Sequence, residues 1–135
     1  MIIEVVPKGV APAAVTCGSV VDVPQGSSVK VTFAVKNVGY MEVTFDYTID
    51  VLDSRGVIVG SISDYTGIKI APGEQKSITT GAFKISETAA LGKGKVRVTV
   101  IDHTTGNFLD QESCEIVNIV SGIAAEIVSI SIARA

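Results

Sequence analysis

The sequence predicts an all-β fold, a sandwich of two antiparallel sheets with extra terminal strands. Three observations carry this. Val and Ile occur 37 times between them, against three Leu, in 135 residues. That bias toward β-branched side chains suits strands rather than helices. Apolar and polar residues alternate with a period of two in several runs. The clearest is Val29 to Gly39, where Val29, Val31, Phe33 and Val35 share one face and Lys30, Thr32, Ala34 and Lys36 the other. Gly, Pro, Asn and Asp clusters punctuate these runs roughly every ten residues, the spacing of a two-layer β domain.

Taken in order, Ile2 to Val6 reads as a short strand closed by Pro7 and Gly9. Ala14 to Val23 is a weaker strand, with Gly18 and Ser19 marking a bulge or bend. Pro24-Gln25-Gly26 turns into a strand over 28–37. Asn37 and Gly39 tolerate positive φ, so a tight hairpin is expected there, returning along 41–53 with Val43, Phe45, Tyr47, Ile49 and Val51 inward. Asp53 to Gly56 is a second hairpin turn with Gly at the left-handed position. Val57–Ser61 and Tyr65–Ile70 are short strands, Ala71-Pro72-Gly73-Glu74 is a turn, and Lys76–Ile85 is a strand. Ser86–Leu91 reads as one helical turn capped by Ser86 and stopped at Gly92. Gly92 to Lys95 (G-K-G-K) reads as a flexible loop, lacking the Ser or Thr and the strand-to-helix context of a phosphate loop. Lys95–Asp102 and Phe108–Val120 form a hairpin across His103–Asn107. A last alternating segment over 126–133 sets Val128, Ile130 and Ile132 against Ile127, Ser129 and Ser131. One domain accommodates this: an N-terminal strand and linker over 1–13, a sandwich over 14–120, and a C-terminal strand over 121–135 belonging to the same unit.

Composition bounds the function. A net charge of −3 with scattered Lys and Arg offers no basic stripe for nucleic acid. The apolar stretch Ile116 to Ala133 is broken by Asn118, Ser121, Gly122, Glu126, Ser129 and Ser131. A membrane span needs roughly 20 mostly apolar residues, so none is expected. No signal peptide is read in the chain, because the apolar start is short, lacks a basic leader and carries Glu4. Hydrophobic residues make up 47% and charged residues only 19%, so part of the nominal surface is expected to be covered by a partner chain or a second sheet.

Residues able to do chemistry are few, and neither enzyme, metal nor cofactor is expected. His103 is the one histidine, in a hairpin loop beside Asp102, with no activated Ser nearby; it reads as an exposed turn residue. Cys17, Cys114 and His103 lack the close paired spacing of a zinc site. Asp46 and Asp50, with Asp53 or Asp64 within reach, lack a calcium-loop pattern and read as solvated carboxylates on an outward face. For Cys17 and Cys114 two readings stay open: small buried hydrophobes, or a disulfide tying the first strand to the last.

Gly26, the V-K-N-V-G run at 35–39, A-P-G-E at 71–74 and V-R-V-T-V-I-D at 96–102 carry a resemblance. Over about two-thirds of the chain the sequence resembles immunoglobulin-like domains of microbial surface proteins, and among them the cell-adhesion-related domain of bacteria and archaea. The resemblance implies an immunoglobulin-like sandwich used for scaffolding, adhesion or spacing. The chain departs from antibody domains in lacking Trp and a Tyr two residues before a late Cys.

The terminal strands are the candidate assembly elements: Ile2, Ile3, Val5 and Val6 at one end, Val128, Ile130 and Ile132 at the other. An unpaired β-branched strand either completes an edge of its own sheet or adds to a neighbouring molecule. Ser121-Gly122 can turn 126–133 back onto its own sheet, while 2–6, followed by a Pro/Ala-rich linker, is the stronger candidate for docking on a neighbour. The function expected is therefore a non-catalytic structural module that forms a homo-oligomer or docks on other protein subunits, at a virion (decoration or tail) or a cell surface. The alternative is a carbohydrate- or protein-binding adhesion module using loops at one end of the sandwich (37–41, 86–94 and 103–107).

Overall fold

A computed structural model describes residues 1–5, 15–123, 125 and 127–134. Its strands are β1 (Ile2–Val5), β2 (Val21–Pro24), β3 (Ser28–Val29), β4 (Thr32–Asn37), β5 (Val43–Leu52), β6 (Ile58–Ile70), β7 (Gln75–Thr79), β8 (Phe83–Lys84), β9 (Gly92–Asp102) and β10 (Phe108–Val120). One sheet has the order β1-β4-β7 and the other β2-β10-β9-β5-β6, with a short β3-β8 ladder beside them. The all-β sandwich is as expected, but the sheets are not purely antiparallel: β1 lies parallel to β4, and β2 parallel to β10.

The core lies between the layers. Ile3, Phe33 and Val35 from the smaller sheet meet Phe45, Ile49, Val51, Val98, Val100 and Ile119 from the larger. The Phe33 and Tyr47 rings meet edge to face with centroids 5.0 Å apart. The period-two pattern therefore identified the buried faces, because side-chain direction alternates along any strand regardless of its partner.

Several local expectations are corrected. Val29–Gly39 and Met41–Val51 do not form a hairpin. Strand β4 pairs with β1 and β7, whereas β5 pairs with β6 and β9. The link between them crosses from one sheet to the other. Asn37 organises that crossing from a fully buried position: its Nδ2 donates to the carbonyls of Met41 (2.8 Å) and Ile70 (3.0 Å), and its Oδ1 accepts from the Gly39 N–H (2.9 Å). That is an Asx turn, which needs no positive φ, and no residue other than glycine has one among those described.

The run over 28–37 breaks into β3 and β4, and 76–85 into β7 and β8, where the Thr80 hydroxyl accepts from the Val31 N–H and donates to the Gly81 carbonyl. A side chain replaces a ladder bond at that point. The two short strands expected within 57–70 are one continuous β6, whose register against β5 shifts between Asp64 and Ile68. Gly67, at φ 82°, occupies that bulge. Gly92 to Lys95 belongs to β9 rather than to a loop. No helix exists among the described residues; Ser86–Leu91 is a turn, held by Ala90 N–H to Asp53 Oδ2 and Ser54 Oγ to the Leu91 carbonyl. Of the strand expected over 14–23, only Val21–Val23 is strand; residues 15–20 form none.

The described residues of 126–133 likewise form no strand and lie exposed. A strand needs an open edge within reach. At the point where this segment leaves the sandwich, the outer edge of β10 is already taken by β2.

Candidate functional site

The side chains with chemistry are engaged in structure. Asp46 and Asp50, expected on a solvated face, are buried. Asp46 Oδ1 lies 2.8 Å from His103 Nδ1, and Asp50 accepts from Ser61 Oγ (2.9 Å) and Arg97 Nη2 (3.0 Å). The imidazole thus pairs with Asp46 across the sheet and not with its neighbour Asp102, whose carboxylate accepts from the Thr105 N–H and hydroxyl. Among the described residues no hydroxyl or thiol hydrogen-bonds the imidazole, so the pair lacks the nucleophile of a catalytic triad. No three His, Cys, Asp or Glu side chains converge as metal ligands among the described residues.

Asp53 is the most heavily bonded carboxylate. It accepts from Arg55 Nε and Nη2 and from the backbone N–H groups of Arg55, Val57 and Ala90. The Arg55 guanidinium, and then these backbone donors, outweigh the opposing effect of burial and hold the carboxyl well below the usual carboxylate range. Hydrogen bonds from Thr66 and Thr105 lower Asp64 and Asp102 in the same way. Glu112, pushed up by burial and by Asp110, acts in the opposite sense. A carboxyl whose pKa is lowered by folding contributes stability above its unfolded value, near ~3.9 for Asp, and loses it as pH falls through the folded value. The urea midpoint is therefore expected to fall as pH drops below about 4, and Asp53→Asn should flatten that fall. An unchanged pH profile in Asp53→Asn would contradict the assignment.

The two candidate assembly ends lie differently in the structure. Ile2, Ile3 and Val5 lie on β1, which pairs with β4 of the same chain in the register Ile2↔Ala34 to Val5↔Asn37, and Ile3 is fully buried. Val6 falls outside the described residues. At the other end Ile123, Ile127, Val128, Ile130 and Ile132 are 83–100% exposed. The reason is the position of the edges: the flank of β4 beside residues 34–37 is open to β1, while the end of β10 is closed by β2. Cys17 and Cys114 form a disulfide that fastens the segment before β2 to β10.

Sequence reasoning missed an apolar groove of about 160 Å³ on the open side of the sandwich. Val21 and Val23 of β2 with Ile116 and Val117 of β10 form one wall, and Val29 and Val31 the other. The groove exists because β2 and β3, joined by the turn at 24–27, diverge from it: β2 enters the five-stranded sheet, whereas β3 enters the short ladder with β8. The turn is legible in Pro24-Gln25-Gly26; the divergence of its arms is not.

The three loops considered for ligand binding do not share one end. Residues 37–41 and 103–107 lie together at the end where His103 N–H meets the Thr44 carbonyl, whereas 86–94 lies against Asp53 and Ser54 at the other. Residues 95–102 of strand β9 separate them, roughly 26 Å at 3.3 Å per residue.

Neither a protein-family profile nor a curated protein matches the sequence. Among solved structures, the chain is similar to Bacteroides uniformis β-glucuronidase, with a TM-score of 0.54 and 17% identity over 66% of this chain and 11% of that one. It is similar also to B. uniformis β-glucuronidase 2 covalently bound to cyclophellitol-6-carboxylate aziridine, with a TM-score of 0.54 and 19% identity over 67% of this chain and 12% of the enzyme. The chain thus spans only a small part of each enzyme. At this identity the likeness carries the β-sandwich fold, consistent with an immunoglobulin-like domain, and no more.

Proposed function

We propose that the chain is a non-catalytic β-sandwich module that self-associates or docks on neighbouring protein subunits in a surface assembly. A virion decoration or tail component and a cell-surface scaffold or adhesion module are the settings that suit it. The observation that carries this reading is the exposed C-terminal run, in which Ile127, Val128, Ile130 and Ile132 are 83–100% accessible while the core closes without them. Burying a Val or Ile side chain is worth about 1.5–3 kcal/mol, so covering four such residues against a partner favours association strongly. The low charge content points the same way. The Cys17–Cys114 disulfide supports an oxidising setting such as a cell or particle surface.

Analytical ultracentrifugation tests the reading. The full chain is expected to sediment as a defined oligomer at tens of micromolar, and deletion of residues 123–135 should return it to a monomer with unchanged circular dichroism. A full chain that stays monomeric near millimolar concentration would overturn the proposal. Deletion of 1–9 is expected to lower stability instead, since it removes β1 and the buried Ile3 from the core.

A further inference from the structure

We infer that the groove between β2 and β3–β4 receives the C-terminal segment of a second copy of this chain, which adds as a strand along residues 28–32. The inference rests on the self-association reading and names its contact.

The receiving site has a backbone half and an apolar half. Along β3 and β4, alternate residues face opposite flanks. The Ser27 and Val31 carbonyls accept from Ile85 and Thr80 and the Asn37 N–H donates to Glu74, all on the β7–β8 side. On the other flank Ala34 N–H donates to Met1 O, where β1 begins. By the same alternation Ser28, Lys30 and Thr32 present their N–H and C=O groups on the β1 flank, where β1 reaches only Ala34 to Asn37 and no described strand pairs with residues 28–32. An open edge of this kind accepts an added strand. Directly beneath it lies the groove, whose volume of about 160 Å³ is close to that of a cavity able to hold benzene. Branched aliphatic side chains fit such a space.

The donor matches both halves. In 127–132 the even positions Val128, Ile130 and Ile132 form an unbroken β-branched face, while Ser129 and Ser131 give the opposite face polar character. Docked as a strand, the segment sets its aliphatic face into the groove and its backbone against Ser28, Lys30 and Thr32.

The occupant is another copy because the donor, although it leaves at the turn from which the groove opens, lies exposed over its described residues and not in that groove. Gly122 N–H reaches Gln25 Oε1 at 3.5 Å, and a Cβ at Gly122 would collide with the Gln25 carbonyl. The Ser121 hydroxyl both accepts from the Ile123 N–H and donates to the Ile123 carbonyl. These contacts fix the departure at the turn joining β2 to β3, and the segment beyond lies exposed rather than in its own groove. Since every copy carries one donor and one receiver, exchange generates a closed dimer or a longer chain.

Complementation tests the contact. Val21→Lys places a charge on the groove lip at a residue 58% exposed, so it leaves the core intact; Lys30→Pro removes an edge N–H; Ile130→Asp spoils the donor. By light scattering, each full-length variant is expected to be monomeric, with a melting temperature close to that of the parent. Mixing Val21→Lys with Ile130→Asp should restore a 1:1 complex, because one supplies the intact donor and the other the intact groove. Mixing Val21→Lys with Lys30→Pro should not. If Ile130→Asp is monomeric but Val21→Lys and Lys30→Pro still associate, the donor docks elsewhere; the groove assignment fails while self-association stands. A monomeric parent whose amides over 127–133 are protected from exchange would mean that each chain fills its own groove, and overturns the inference.

Discussion

Replacing Cys17 by Ser together with Cys114 by Ala is expected to lower the unfolding free energy by roughly 4–5 kcal/mol. The bond spans a sequence separation of 97 residues, and in the chain-entropy account a closed loop of about 100 residues restricts the unfolded ensemble by about 4.7 kcal/mol. Local contacts do not compensate for the loss. Residues 15–20 form no strand, and Cys17 is exposed, so side-chain attachment rather than a backbone ladder holds this segment near β10. Urea unfolding of the oxidised chain, the reduced chain and the double variant should give one high midpoint and two similar low ones. A difference below about 1 kcal/mol would show that the unfolded chain is already restricted by residual structure.

Asn37→Ala is expected to cost about 3 kcal/mol or more, a large value for one polar residue. The amide is fully buried and satisfies the Met41 and Ile70 carbonyls and the Gly39 N–H. Truncation leaves three backbone groups to find other partners, at about 1–3 kcal/mol for each that stays buried and unsatisfied. Asn37→Asp separates two contributions: it retains an acceptor for Gly39 but loses both donors, so it should recover little of the stability. A loss under about 1 kcal/mol for the alanine variant would mean that water replaces the amide.

Asn37 also marks how far the sequence is legible. Its place before Gly39, between two alternating runs, identified a turn. What the turn joins was misread, because an Asn-x-Gly pattern serves an Asx turn between sheets as well as a hairpin within one. Asp46 and Asp50 illustrate the same limit. Their alternation placed them on the outward face of β5, yet His103 from the loop after β9, Arg97 from β9 and Ser61 from β6 cover them. Partners 11 to 57 residues away in sequence leave no trace in local pattern.

The candidate site divides along the same line. The β-branched alternation over 127–132 is a property of the segment itself and was visible without any structure. Its availability was not, since it depends on β2 closing the edge that this segment would otherwise join. Ile3 shows the converse: an apolar terminal residue that looked free lies at the centre of the core, because β4 leaves a flank open to it. The sequence by itself determined the all-β class, the inward faces of the core strands and most of the turns, since these follow from period-two geometry and from the φ preferences of Gly, Pro and Asn. The tertiary structure alone decided which strands share a sheet, which terminal segment is absorbed, and where a groove opens. Those outcomes depend on competition among distant edges for partners, which no local stretch of residues encodes.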